Sequence, residues 1–223
     1  MKNYELKMEN GVITWIECMD ADGNPIPGIL HIPEDAVGFS ADAWLTLDDN
    51  IEGIVVHENN PMFTSAHNCL LSKDGTTLIK ACKNSDIAKL TGIRCIGRNA
   101  ASVLGLDLDA FNLRIPEGVE TLEYRAFAFA ANKAEIVVPA SVKNVDLMAF
   151  MIHGENTHII FEGDPQLEAG AFGTQAESKD SWFEVYKTMP AVLYPKAENI
   201  TVTCQPDSQV AAYCKKYGIP MGG

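Results

Sequence analysis

A pattern that returns every 23 residues constrains this chain more than anything else in it. Ile115-Pro116 is followed by Val119, Leu122 and Ala126-Phe127, and Val138-Pro139 by Val142, Val145 and Ala149-Phe150, with the same 23-residue offset at each position. A third copy, Phe161, Leu167 and Ala171-Phe172, has lost the proline and ends 22 residues after Phe150. An earlier copy, Ile32-Pro33, Val37 and Ala43-Trp44, keeps the step of ten from proline to alanine, and a weaker one, Gly92-Ile93, Ile96 and Ala100-Ala101, lacks the aromatic. A repeat this short cannot bury its apolar side alone, but several stacked copies make one continuous core.

Each repeated position has a physical reason. The pairs Leu113 and Ile115, Ile136 and Val138, Ile159 and Phe161 have period two, so both side chains of a pair point inward from a short strand. The following proline cannot donate to a ladder and ends the strand. Val119 and Leu122, like Val142 and Val145, lie three apart, which fits a tight turn returning two side chains to the same interior. In the Ala-Phe pair the small residue lets coils approach while the ring fills the space between them.

Between the first two copies the chain is different but still strand-like. Ile54-Val55-Val56 leads to the turn signal Asn59-Asn60-Pro61, and Cys69 to Lys80 reads as a hairpin turning at Asp74-Gly75. Tyr4-Leu6-Met8, Asn10-Gly11 and Val12 to Ile16 predict another hairpin at the N-terminus. Near the other end, Asp207-Ser208 caps a short helix carrying Val210, Ala211 and Cys214 inward, with Lys215 and Lys216 in its last turn and Gly218 as the stop. The expected organisation is one repeat domain over 1–223: a hairpin cap (1–27), repeats with an inserted hairpin near 59–81 (28–172), an insertion (173–190) and a C-terminal cap (191–223).

The Ile-Pro, Val, Ile or Leu, Ala-Phe pattern resembles the BspA-type leucine-rich repeat, common in surface and secreted proteins of host-associated anaerobic bacteria. Asn59 to Phe63 with Leu71 to Ile79 resembles the inter-repeat hairpin of that family. Gln205-Pro206-Asp207-Ser208 to Tyr213 and Tyr217 to Pro220 is similar to its closing segment. The resemblance covers roughly residues 28–220 and departs from the family at Ala101 and after Phe172. It implies a right-handed leucine-rich-repeat solenoid of mostly short strands and turns, with inserted hairpins and a C-terminal capping helix. It also implies a role in adhesion or protein contact, with no fixed catalytic set.

Charge narrows the partners. Seventeen Lys and Arg against thirty Asp and Glu give a net charge of −13, so the phosphate-neutralising charge of a nucleic-acid binder is missing in bulk. No apolar run approaches a membrane span, so no membrane insertion is expected. Met1 to Leu6 carries no apolar leader segment, which reads as cytoplasmic; the chain is extracellular or at the cell surface if a leader has been removed. Six scattered cysteines without a Cys-x-x-Cys pattern read as free, mostly buried thiols.

Catalytic and metal motifs are sparse. Cys69 beside His67, and Cys18 with His31, are the pairs a thiol-dependent hydrolase would use, although a buried cysteine near a polar loop histidine is the plainer reading. His153 and His158 are the nearest metal-type pair and lack evident third and fourth ligands. Asp107 and Asp109 read as a solvated strand face, and Asn199-Ile200-Thr201 matches a glycosylation sequon. The sequence therefore implies no enzyme, no cofactor and no metal. Its leading function is non-catalytic binding or scaffolding of an unidentified protein partner, with adhesion at a cell surface as the alternative.

Two sets of residues are candidates for that contact. The residue between each inward pair should face solvent, giving a ladder of His31, Val55, Arg114, Val137 and Ile160 whose later half is apolar. It reads either as plain β-propensity or as a patch for a partner or for self-association. The insertion carries Trp182, Phe183 and Tyr186 among charged residues, rings that either pack back on the last coil or meet a partner.

Overall fold

The computed structural model describes residues 2–24, 26–40, 43, 50–102, 110–128, 133–152, 156–173 and 199–222. It is a β-solenoid of about six turns, built mostly of strands. Coils from the repeats place one longer strand in a parallel four-stranded sheet of β11 (Phe111–Arg114), β13 (Lys133–Val138), β15 (Asn156–Phe161) and β17 (Ile200–Thr203). A two-residue strand on the far side of the same coils enters a second sheet, as β10 (Cys95–Ile96), β12 (Thr121–Leu122), β14 (Asn144–Val145) and β16 (Gln166–Leu167).

Strict register produces the interior. Leu113, Ile136, Ile159 and Val202 are mutual partners across the longer strands, and Ile96, Leu122, Val145 and Leu167 across the short ones. β11 and β13 both stop before a proline or the residue leading to one, as a missing N–H requires. Between the sheets, Phe127, Phe150 and Phe172 are fully buried and stack face to face, with ring centroids 5.8 Å apart at both steps. Phe161 meets Phe150 and Phe172 edge-on. Aromatic contacts of this kind add to plain area burial.

The corner before each ring has a regularity that the sequence conceals. Asn99, Arg125, Met148 and Gly170, each directly ahead of the alanine, all have positive φ. That conformation turns the chain so that the alanine N–H bonds back three residues and the following N–H bonds to the next coil, as Phe127 N does to Ala149 O at 2.8 Å. Ala126, Ala149 and Ala171 are fully buried there. Coils also touch at Gly163, where a Cβ would lie only 2.8 Å from Ala140 Cα.

At the N-terminal end, β1 (Lys2–Asn3), β4 (Gly28–Ile32) and β6 (Ile51–Val56) form a parallel sheet. The expected hairpin is present as antiparallel β2 (Glu5–Glu9) and β3 (Val12–Glu17), turning through Asn10 and Gly11 at φ 51 and 78, and β3 also pairs with β5 (Gly38–Phe39). Val37 does not point inward as the repeat predicts. It is 45% exposed, while Ala36, whose N–H bonds to Pro33 O as Val119 N does to Pro116 O, takes the interior place. The first copy carries one extra residue between proline and valine, and the turn geometry selects the residue three beyond the proline.

The segment read as an inserted hairpin contains a further coil. β6 runs in register with β4, and His57, Asn60 and Phe63 follow it at the intervals of Pro33, Ala36 and Phe39. Phe63 packs on Phe39 at 5.7 Å. After it come β7 (Phe63–Ala66), β8 (Cys69–Ser72) and β9 (Thr77–Ala81), an antiparallel meander whose second turn contains Asp74 and Gly75. β9 then pairs parallel with β10, so the meander completes a seven-stranded sheet.

This meander divides the interior. Cys69 and Leu71 belong to the larger apolar cluster, which extends to Ile219, whereas Leu70 belongs to a smaller one around Tyr4, Ile13, Leu30 and Ile54. Both faces of β8 are thus buried, and the continuous apolar run Cys69-Leu70-Leu71 is the sequence of a strand with two interiors. The single shared core expected from the repeat holds for the copies from Ile93 onward and not for the N-terminal coils.

The C-terminal helix α1 (Gln209–Tyr217) starts at Ser208, whose hydroxyl accepts from Ala211 N at 3.0 Å, and stops at Gly218 with φ 67. Its Tyr213 ring contacts Phe172, and its hydroxyl accepts from the N–H groups of Gly170 (2.9 Å) and Ala171 (3.2 Å). No helix among the described residues is long and apolar enough to cross a membrane.

Candidate functional site

The predicted outward ladder divides into two sets. His31 and Val55 are partners in the N-terminal sheet, while Arg114, Val137 and Ile160 are partners in the four-stranded sheet, where Thr203 extends the row. The two sets are separate because the meander and the β10 coil intervene, and β6 and β11 lie in different sheets. His31 and Val55 are exposed, Val55 at 46%, whereas Val137 and Ile160 are half-buried.

Arg114 stands at one end of that row. Its guanidinium reaches across β13 to grip Glu162 in a two-point pair, Nη1 to Oε1 and Nη2 to Oε2 both at 2.7 Å, and it also bonds Glu117 at 2.6 Å. The pairing holds Glu162 below the usual carboxylate range. On the same strands, two residues nearer their starts, Glu135 and His158 face each other directly. His158 Nε2 lies 2.9 Å from Thr203 Oγ1, its Nδ1 lies 3.6 Å from Glu135 Oε2, and Thr203 Oγ1 donates to Gly222 O at 3.4 Å. A groove of about 420 Å³ opens over these residues and over the row Lys133, Asn156 and Asn199 that begins the strands.

The short-strand side carries a different electrostatic pattern. Arg94, Glu120 and Lys143, each just ahead of its strand, form an alternating series with contacts of 2.8 and 2.9 Å. Just beyond the strands, Glu123, Asp146 and Glu168 stack on consecutive coils. Partial burial first, and then the neighbouring carboxylates of Glu168 and Glu123, raise Asp146 above the ordinary aspartate range.

Cys69, Cys95 and Cys214 are poor nucleophiles. Burial pushes Cys69 up to about 11, and Cys95 and Cys214 up to about 12. Cys69 Sγ points at the His67 carbonyl (3.6 Å), not at its ring, and Cys18 Sγ points at Asn3 O (3.8 Å). A thiol raised as far as that of Cys69 stays protonated at neutral pH. His158 is found in the groove, while His153, Asp107 and Asp109 lie outside the described residues, as do Trp44, Trp182, Phe183 and Tyr186. Among the described residues no three His, Cys, Asp or Glu side chains converge to hold a metal.

No family model and no curated protein matches the chain. Among solved structures, the chain is similar to a leucine-rich repeat protein from Eubacterium ventriosum ATCC 27560, with 17% identity and a TM-score of 0.44, over 64% of this chain and 40% of that one. It is also similar to the pneumococcal vaccine antigen PcpA, with 14% identity and a TM-score of 0.47, over 86% of this chain and 55% of that one. The chain thus spans about half the length of either protein or less. The solenoid assignment rests on this chain's own strands and registers.

Sequence reasoning missed the groove and the buried Asn60. The groove depends on which residues meet across strands 23 apart, and only the repeat register, applied to the polar positions as well as the apolar ones, would have found it. Asn60 stood in a turn signal, and its interval from Phe63 matches that of Ala36 from Phe39, which is the cue that was available.

Proposed function

We propose that this protein is a non-catalytic binding solenoid that meets a protein partner, or a second copy of itself, through the outer face of its four-stranded sheet. The observation that carries this reading is the row Arg114, Val137, Ile160 and Thr203, one residue from each of four hydrogen-bonded strands. Two aliphatic side chains there are flanked by a fixed charge pair on one side and a hydroxyl on the other, the apolar centre and polar rim of an interface. The motif resemblance to BspA-type repeats supports adhesion at a cell surface as the setting, and export would be its prerequisite. Trp182, Phe183 and Tyr186 are proposed as a second contact element.

Replacing Val137 and Ile160 together by Lys tests the reading. The variant should keep its circular dichroism spectrum and lose either self-association in light scattering or capture of the native partner. Unchanged mass and unchanged capture would remove this face from consideration.

A further inference from the structure

We propose that the groove over the first halves of β13, β15 and β17 binds a neutral saccharide. This site lies beside the protein-contact row and is independent of it. The groove's volume, about 420 Å³, falls within the range of small-molecule pockets. Its floor is a grid: Lys133 and Asn156 paired across two strands with Asn199 just ahead of the third, then Glu135, His158 and Thr201 two residues further along. Strands lie about 4.8 Å apart and alternate residues about 6.7 Å, so the grid spans about 10 by 7 Å, the size of one or two sugar rings.

Half of this surface is already fixed and half is open. Thr203 gives its hydroxyl hydrogen to Gly222 O, which leaves its oxygen to accept from His158 Nε2. Gly222 forms one wall; a Cβ there would lie 3.2 Å from the Thr201 methyl and 3.3 Å from Thr203 Oγ1. By contrast, the side chains of Asn156, Asn199 and Thr201 make no hydrogen bond among the described residues.

The lining chemistry selects the ligand. Among the described residues that line the groove none is aromatic, and the one aliphatic residue, Ala134, is buried in the core, so the groove offers no pocket for the apolar anchor on which peptide binding depends. Lys133 is offset by Glu135, so an anion gains little net attraction. What remains are amides, hydroxyls and an imidazole, groups that donate and accept at once, and an alcohol hydroxyl is the ligand group that does the same.

Saturation-transfer difference NMR on the full chain with maltotriose, chitotriose and mannotriose, against sialyllactose and a neutral tetrapeptide, tests this. At least one neutral trisaccharide should bind at millimolar concentration. Thr201→Val combined with Asn156→Val should weaken it at least about tenfold, Thr201→Ser should restore most of the binding, and Val137→Lys should leave it unchanged. Asn199→Ala, at an exposed position, provides a second variant should the first misfold. Silence from all three neutral sugars, a response to sialyllactose or the tetrapeptide alone, or binding indifferent to these substitutions would overturn the proposal. Unchanged self-association and partner capture in the Val137 and Ile160 to Lys variant, with sugar binding intact, would count against the protein-contact face and leave this site standing.

Discussion

Asn60 does at one position what an aliphatic residue does in other coils. It is fully buried, its Nδ2 donates to Pro33 O (2.6 Å) and Ala36 O (2.9 Å), and its Oδ1 accepts from the N–H groups of Met62 (2.9 Å) and Phe63 (2.7 Å). One side chain thus ties its own coil to the preceding one and leaves none of its polar atoms unpaired. Asn60→Ala removes all four bonds and strands buried carbonyls, so it should destabilise the protein by about 2–4 kcal/mol in urea unfolding. Exposed Asn59→Ala should stay within about 0.5 kcal/mol. Equal effects of the two would mean that Asn60 is not an interior residue. Turn chemistry masked this role, because Asn-Asn-Pro reads correctly as a turn while saying nothing about which amide faces inward.

At the scale of the element, the short strands stack like with like. Glu123, Asp146 and Glu168 follow Leu122, Val145 and Leu167 on successive coils, and Asp146 is held above its ordinary value by burial and by those two carboxylates. A folded-state value above the unfolded one means that the native state binds this proton more tightly. The stabilisation it confers is therefore present at acid pH and lost as pH rises through the folded-state value. Asp146→Asn should raise the thermal midpoint at pH 7, with a gain that shrinks in high salt and vanishes toward acid pH. A variant that is less stable at pH 7 would show that Asp146 serves a favourable contact there. The hairpins and the helix were legible element by element: Asn10-Gly11, Asp74-Gly75, Ser208 and Gly218 each supply the local backbone chemistry that their turn or cap needs. The slip from Val37 to Ala36 was not, because a one-residue insertion preserves the composition of a copy and changes which residue the turn points inward.

For the whole molecule, a 23-residue period converts directly into a parallel register, and the register into a core. The rings at Phe127, Phe150 and Phe172 show this most plainly, since residues of the same type at the same phase end up in one stack. What the period could not reveal is the division of the interior by β8, because an apolar run buried on both faces looks the same whether it has one core or two on its flanks. Nor could it show that the outward rows separate into two sheets, which placed His31 and Val55 apart from Arg114, Val137 and Ile160. The decisive measurement is a proton NOE spectrum with only the Phe and Tyr rings protonated, assigned by substituting single rings. Contacts should run from Phe127 to Phe150 to Phe172 to Tyr213, with none from any of these to Phe39 or Phe63; rings of Phe127, Phe150 and Phe172 that show no mutual contact would contradict the coil-on-coil interior.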